Sequence, residues 1–177
     1  MANLFSALIA LCLLRRGPQD LPYSPSLTRL LVVLLVATNL FYTAFIELPD
    51  ALPRLLLALA WLLGAPWLLL RLSGRRERYA QTLMAFAGSG LVFALAFLPL
   101  AVAAADLPAL AADTPPTPGQ LTIAWLTLLA VGWKLAVASH ILRHALDWPR
   151  LASMALALAL LLLEMGVDHL LFASAGA

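Results

Sequence analysis

Five long apolar stretches, at residues 29–46, 52–70, 79–105, 121–141 and 151–172, alternate with short connectors, and nine of the ten arginines fall on one set of alternating sides. Each stretch is about long enough to cross a 30 Å hydrocarbon core as a helix. Backbone facing lipid must satisfy its own hydrogen bonds, which leaves helices or closed barrels. The expected fold class is therefore all-α: a polytopic membrane helical bundle of five transmembrane helices plus a short N-terminal interfacial helix. A soluble fold fails on composition. With 63% hydrophobic and 11% charged residues, it would show water far more contiguous apolar surface than soluble monomers expose. Spans and short connectors take up the 177 residues, so 1–177 reads as a single integral membrane domain with no separate soluble catalytic unit.

Orientation follows from the arginines. Arg15, Arg16, Arg29, Arg71, Arg75, Arg76, Arg78, Arg143 and Arg150 share one side, while the opposite connectors carry Glu47, Asp50, Asp106 and Asp113 with only Arg54 nearby. Basic residues near span ends are retained on the cytoplasmic side. The expectation is a cytoplasmic N-terminus and an exported C-terminus in a bacterial inner membrane. The cytoplasmic basic turns (Arg15, Arg16, Arg71, Arg75, Arg76, Arg78, Arg143 and Arg150) are expected to meet anionic headgroups of the lipid bilayer. The formal net charge of +2 is confined to these helix ends and builds no basic, aromatic-rich soluble face, so nucleic-acid binding is excluded. Cys12 is the only cysteine, which rules out an internal disulfide or a multi-cysteine metal site.

The segment 1–14 differs from a signal peptide because its arginines, Arg15 and Arg16, follow the apolar run instead of preceding it. Leu11 before Cys12 is too bulky for lipoprotein processing. A run this short cannot span unaided and is expected to lie in the interface or to pack against the bundle as an anchoring helix. Ser24-Pro25-Ser26 can start the first long helix, and Asp147-Trp148-Pro149 can cap the last. The turn 72–78 predicts an antiparallel hairpin. The exported run 113–119, rich in proline, reads as an extended spacer. Tyr23, Trp67, Tyr79, Trp148 and Trp125 fall near span ends as an aromatic belt; Trp61 and Trp133 lie deeper and are read as packing groups.

Lys134 and Glu164 form the candidate intramembrane polar pair. A charge near the centre of a membrane helix costs about 2.5 to 3.5 kcal/mol on insertion scales. Measured from the expected span ends at 1.5 Å per residue, Lys134 lies about 11 Å and Glu164 about 20 Å deep. They are expected to face the bundle interior and pair, directly or through water; alternatively Lys134 snorkels to the interface and Glu164 is protonated or hydrogen-bonded. His140 and His144 share a helix face but lack a third ligand, so an interfacial or hydrogen-bonding role is expected, and Asp168 and His169 are read with the same reserve. Thr38, Asn39, Tyr42 and Thr43 form a polar patch assigned to interhelical hydrogen bonds. Small residues at Gly88, Ser89 and Gly90, and the spaced pairs Ala60 with Gly64 and Gly132 with Ala136, mark helix-packing faces toward this chain or a second subunit. Pro66 and Pro99 are kink sites. No nucleophile with a base, no metal set and no cofactor motif is present.

From Gly132-Trp133-Lys134 through His140-Ile141-Leu142-Arg143-His144-Ala145-Leu146 into Pro149-Arg150-Leu151-Ala152, a tryptophan-bearing helix runs into a short basic turn before a last span. With the five-span topology, this resembles the bacterial Yip1-domain-like inner-membrane proteins. The resemblance implies membrane organisation or protein interaction and carries over no catalytic residue. The leading expectation is a non-enzymatic interaction, assembly or membrane-organisation module, with a membrane-protein partner or a homo-oligomer. The alternative is a small transporter or channel component with a polar path at Lys134 and Glu164.

Overall fold

The computed structural model describes residues 2–45, 50–105, 107 and 115–172; Glu47, Asp106 and Asp113 of the acidic connectors, residues 113–114 of the proline-rich run and the C-terminal tail lie outside them, and Pro118 and Gly119, expected in the extended spacer, instead open a helix. Helices dominate: α1 (Ala2–Cys12), α2 (Pro25–Phe45), α3 (Ala51–Leu72), α4 (Tyr79–Ala105), α5 (Pro118–Leu146) and α6 (Arg150–Phe172). Five of them, α2 to α6, are long and apolar enough to cross a membrane.

The boundaries follow local chemistry. Ser24 Oγ accepts the Leu27 N–H at 3.4 Å and Pro25 opens α2, where a proline costs no helical hydrogen bond. Thr117 and Gln120 exchange side-chain and backbone bonds at the start of α5, a capping box with Pro118 at the first helical position. That cap starts α5 before residue 121. At the other end the helix continues past Ile141 to Leu146, where Asp147 takes φ 49° and its N–H bonds the Arg143 carbonyl. Asp147 is thus the left-handed stop of α5, not the cap of α6: its carboxylate is committed to arginines, as described below. The short α1 ends in the same way. Leu14 takes φ 61° and the Arg15 N–H reaches back to the Ala10 carbonyl at 2.8 Å, the closing pattern of a Schellman motif at a position that favours glycine.

The helix α4 is the hub, touching α1, α2, α3 and α5; α5 pairs with α6, and α3 also meets α2 and α6. The sequence of α4 explains this position. A Cβ built on Gly88 would run into the Leu8 side chain of α1, and one on Gly90 would lie 3.2 Å from Leu35 of α2. Small residues here let two helices approach. Gly64 and Gly132 have no neighbour within 4 Å of a built Cβ, so the helix contacts expected there are not made within the chain; Gly64 and Gly132 face outward along with Ala60, while Ala136 is half-buried.

The core gathers where α1 lies across α4 and α5. Leu8, Leu11, Met84, Ala85, Val137 and Ile141 are all buried there. A second cluster, built on Leu70, Leu142, Leu146 and Ala157, closes the basic end between α3, α5 and α6. Cys12 is 2% exposed and burial pushes its thiol up to about 11, far from the thiolate form that reacts. Overpacking costs about 1–3 kcal/mol, so Gly88→Leu is expected to push α1 off α4. Maleimide labelling of Cys12 at pH 7.5 checks this: slow in the native chain, fast in the variant.

Candidate binding chamber

Between α2, α3, α4, α5 and α6 lies a chamber of about 520 Å³. Its walls are mostly aliphatic and aromatic, with Trp61 from α3 and Phe93 from α4 among them, and both Lys134 of α5 and Glu164 of α6 open into it. Because α5 extends to Leu146, Lys134 lies twelve residues from its basic end, about 18 Å, and Glu164 fourteen from the start of α6, about 21 Å. Measured from the helix ends, the two residues therefore stand at similar heights in the bundle. Lys134 is exposed and Glu164 half-buried.

Neither charged group makes an ion pair or hydrogen bond with the described residues, although the Lys134 charge acts on Glu164 through space. Among the described residues no ion pair joins Lys134 to Glu164; the three ion pairs there are Arg54 with Asp168, Arg75 with Asp147 and Arg78 with Asp147. No hydrogen bond from the described residues reaches the Lys134 ammonium or the Glu164 carboxylate. On the α2 wall, Thr38, Asn39 and Tyr42 also line the chamber. Thr38 Oγ1 donates to the Leu34 carbonyl and Asn39 Nδ2 to the Leu35 carbonyl, each at 2.8 Å, and Thr43 to the Leu40 carbonyl at 3.0 Å. The interhelical bonds expected of this patch are thus replaced by bonds back into its own helix, the ordinary local competition of such side chains. Among the described residues no hydrogen bond reaches the Asn39 carbonyl oxygen or the Tyr42 hydroxyl, and both residues line the chamber.

Ionic ties join the helices at both ends of the bundle. Away from the basic end, Arg54 near the start of α3 donates to Asp168 of α6 at 2.5 Å, and its guanidinium lies 4.6 Å from the centre of the Phe172 ring. Leu55 and Glu164, one and four residues from this pair, line the chamber. Reading spans one at a time misses this tie. Two opposite charges at the same end of different spans were the available signal.

At the basic end, Arg75 and Arg78 both donate to the Asp147 carboxylate, and Arg78 also donates to the His144 and Ala145 carbonyls at 3.0 and 3.3 Å. Two arginines assigned to headgroups are therefore engaged within the chain, tying the α3–α4 turn to the α5–α6 turn. Arg15, Arg16, Arg76 and Arg150 remain exposed, as does Arg71, which lies 4.9 Å over the Trp67 ring; Arg143 is half-buried. Hydrogen bonding to Arg78 and Arg75 holds the Asp147 carboxyl below the usual aspartate range. A depressed folded value means that stability is fully present above the ordinary aspartate pKa and is lost as pH falls through the folded one. The melting-temperature gap between the native chain and Asp147→Asn is expected to be open at pH 7 and to close in acid.

A third set of bonds fastens the N-terminal segment. Trp133 Nε1 donates to the Cys12 carbonyl at 2.8 Å, one of the acceptors left over at the end of α1, and His140 Nε2 donates to the Arg16 carbonyl at 2.9 Å. The Gln19 amide donates to His144 Nδ1 at 3.4 Å, and the two imidazoles meet edge to face with centroids 4.6 Å apart. Trp133 also packs edge-on against Phe93 at 5.3 Å. Tyr79 leaves the aromatic belt: its hydroxyl donates to the Leu63 carbonyl of α3 at 3.1 Å, beside the Pro66 interruption. Among the described residues no group of three or more His, Cys, Asp or Glu side chains could hold a metal ion. No family model, curated protein or solved structure matches the chain.

Proposed function

We propose that the chain is an integral membrane protein, cytoplasmic at its N-terminus and exported at its C-terminus, whose chamber holds a small amphipathic molecule as part of a transporter or carrier, with no chemical step of its own. The observation that carries this reading is the pair Lys134 and Glu164, lining one mostly apolar chamber at similar height in the bundle, with no ion pair or hydrogen bond to either among the described residues. Charged groups within membrane helices are costly and mark substrate or ion paths. An apolar cavity of several hundred Å³ with a few convergent polar groups has the anatomy of a ligand site. The basic asymmetry supports the orientation.

This puts the transporter reading ahead of the assembly module. The second reading keeps one observation of its own: the outward small-residue faces at Ala60, Gly64 and Gly132 leave room for a helix of another subunit or membrane protein. Membrane organisation, the role implied by the Yip1-domain-like resemblance, belongs with that second reading.

The test is untargeted mass spectrometry of the lipids and metabolites released from protein purified in mild detergent, native against the double variant Lys134→Met with Glu164→Gln. A near-stoichiometric species carried by the native chain and lost from the variant is expected. Identical profiles overturn the chamber reading.

A further inference from the structure

We infer that the chamber's occupant is a zwitterionic amphiphile, a molecule bearing a primary ammonium and an anionic oxygen group on an apolar body, its ammonium set at Glu164 and its anion at Lys134. This deepens the proposed chamber function and rests on it.

Charge matching selects the class. The site offers one cation and one anion, so it is formally neutral. A simple anion such as a fatty carboxylate would satisfy Lys134 and leave Glu164 facing apolar walls without a counter-charge. A simple amine would do the reverse. Removing one partner of a desolvated charge leaves the other uncompensated, the costly outcome. A ligand with both charges meets both groups at once. Lys134 and Glu164 are not in ion-pair contact, so the ligand need not first break a bond between them.

The remaining surface fits the rest of such a molecule. The Asn39 carbonyl oxygen and the Tyr42 hydroxyl stand on the α2 wall and can take the further hydrogen atoms and lone pairs of a polar head, while Trp61, Phe93 and Leu160 supply the apolar lining. A volume of about 520 Å³ falls within the ordinary range for a small-molecule site. Two sources share this chemistry: a free hydrophobic amino acid, held entirely inside, or the head of an ethanolamine phospholipid whose chains remain in the surrounding bilayer.

The experiment uses the full chain in mild detergent, with thermal shift and native mass spectrometry as readouts. The zwitterionic probes are L-phenylalanine and phosphatidylethanolamine; phosphatidylglycerol and dodecylamine carry the anion or the cation alone. Saturable binding of one zwitterion is expected, and which one binds identifies the source. Lys134→Met and Glu164→Gln are each expected to weaken it about tenfold or more, the worth of a hydrogen bond to a charged group. Ala94→Trp, which fills the chamber and leaves both charges in place, is expected to abolish it, with the melting curve of each variant confirming the fold. Binding of phosphatidylglycerol through Lys134 alone, or of dodecylamine through Glu164 alone, as tight as either zwitterion's, overturns the zwitterion inference and leaves the chamber reading standing. Failure of both zwitterions to bind also overturns the inference. Zwitterion binding indifferent to both charge substitutions and to Ala94→Trp overturns inference and chamber together.

Discussion

Lys134→Met combined with Glu164→Gln is expected to make the purified protein harder to unfold while emptying its chamber. The physical ground is that both groups line a mostly apolar space with no ion pair or hydrogen bond to either among the described residues. Replacing each with an uncharged side chain of similar length keeps the packing and removes a burden of at most about 3 kcal/mol per residue, smaller where water in the chamber hydrates the charge. For a chain of this size each kcal/mol moves the melting point by about 2–4 °C, so the double variant should melt several degrees higher. Function should move the opposite way, as it does where a site stores unfavourable charge for binding. Melting curves in ligand-free detergent, read beside the release profiles, check both halves. A lower melting point for the single variants, restored when the charges are exchanged between positions 134 and 164, would mean instead that the two groups hold each other through water and act in packing.

The largest loss of stability is expected from Leu11→Ala. Leu11 is fully buried between α1, α4 and α5, and deleting such a side chain costs about 2–5 kcal/mol because the transfer term adds to the cavity left behind. The melting point should fall by about 4 to 20 °C. Leu13, two residues on, is 47% exposed and serves as the control: Leu13→Ala should stay within about 0.5 kcal/mol of the native chain. If the two variants melt alike, α1 is not docked in solution as it is in the structure. The docked α1 also answers the choice left open for the N-terminal segment between lying in the interface and packing on the bundle: Leu8 and Leu11 are in the core.

How far the sequence could be read depends on which physical signal each element carries. Length and hydropathy are summed over about twenty residues, so α2, α3, α4 and α6 were legible to within a few residues at most ends. The end of α5 was not, because its last turns carry His140, Arg143 and His144 and their polarity resembles a connector; what keeps them helical is the bonding of the histidines to the 16–19 segment and of Arg78 to the last carbonyls. That error of five residues, from 141 to 146, displaced Lys134 by about 7 Å. The candidate pair was legible as residue types in an unlikely place, yet the chamber was not, since no periodicity reports the space left between five helices. Arg54 with Asp168 and Arg75 with Asp147 were hidden for a related reason. Their charges had already been accounted for locally, as an outlier to the arginine asymmetry and as a headgroup contact, and only the packing of distant spans brings them together.

The bonds of α1 also impose an order in time. Its docking face becomes available only when α4 has been made, and the indole that holds its last carbonyl stands 121 residues further along the chain than Cys12. At a synthesis rate of about 5–20 residues per second that interval is about 6 to 24 seconds. Although it is made before α2 to α6, α1 is therefore among the last of these helices to be secured, and through that wait its apolar face lacks the α4 and α5 surface it docks on. A holding factor or the membrane surface must shelter it until α5 arrives.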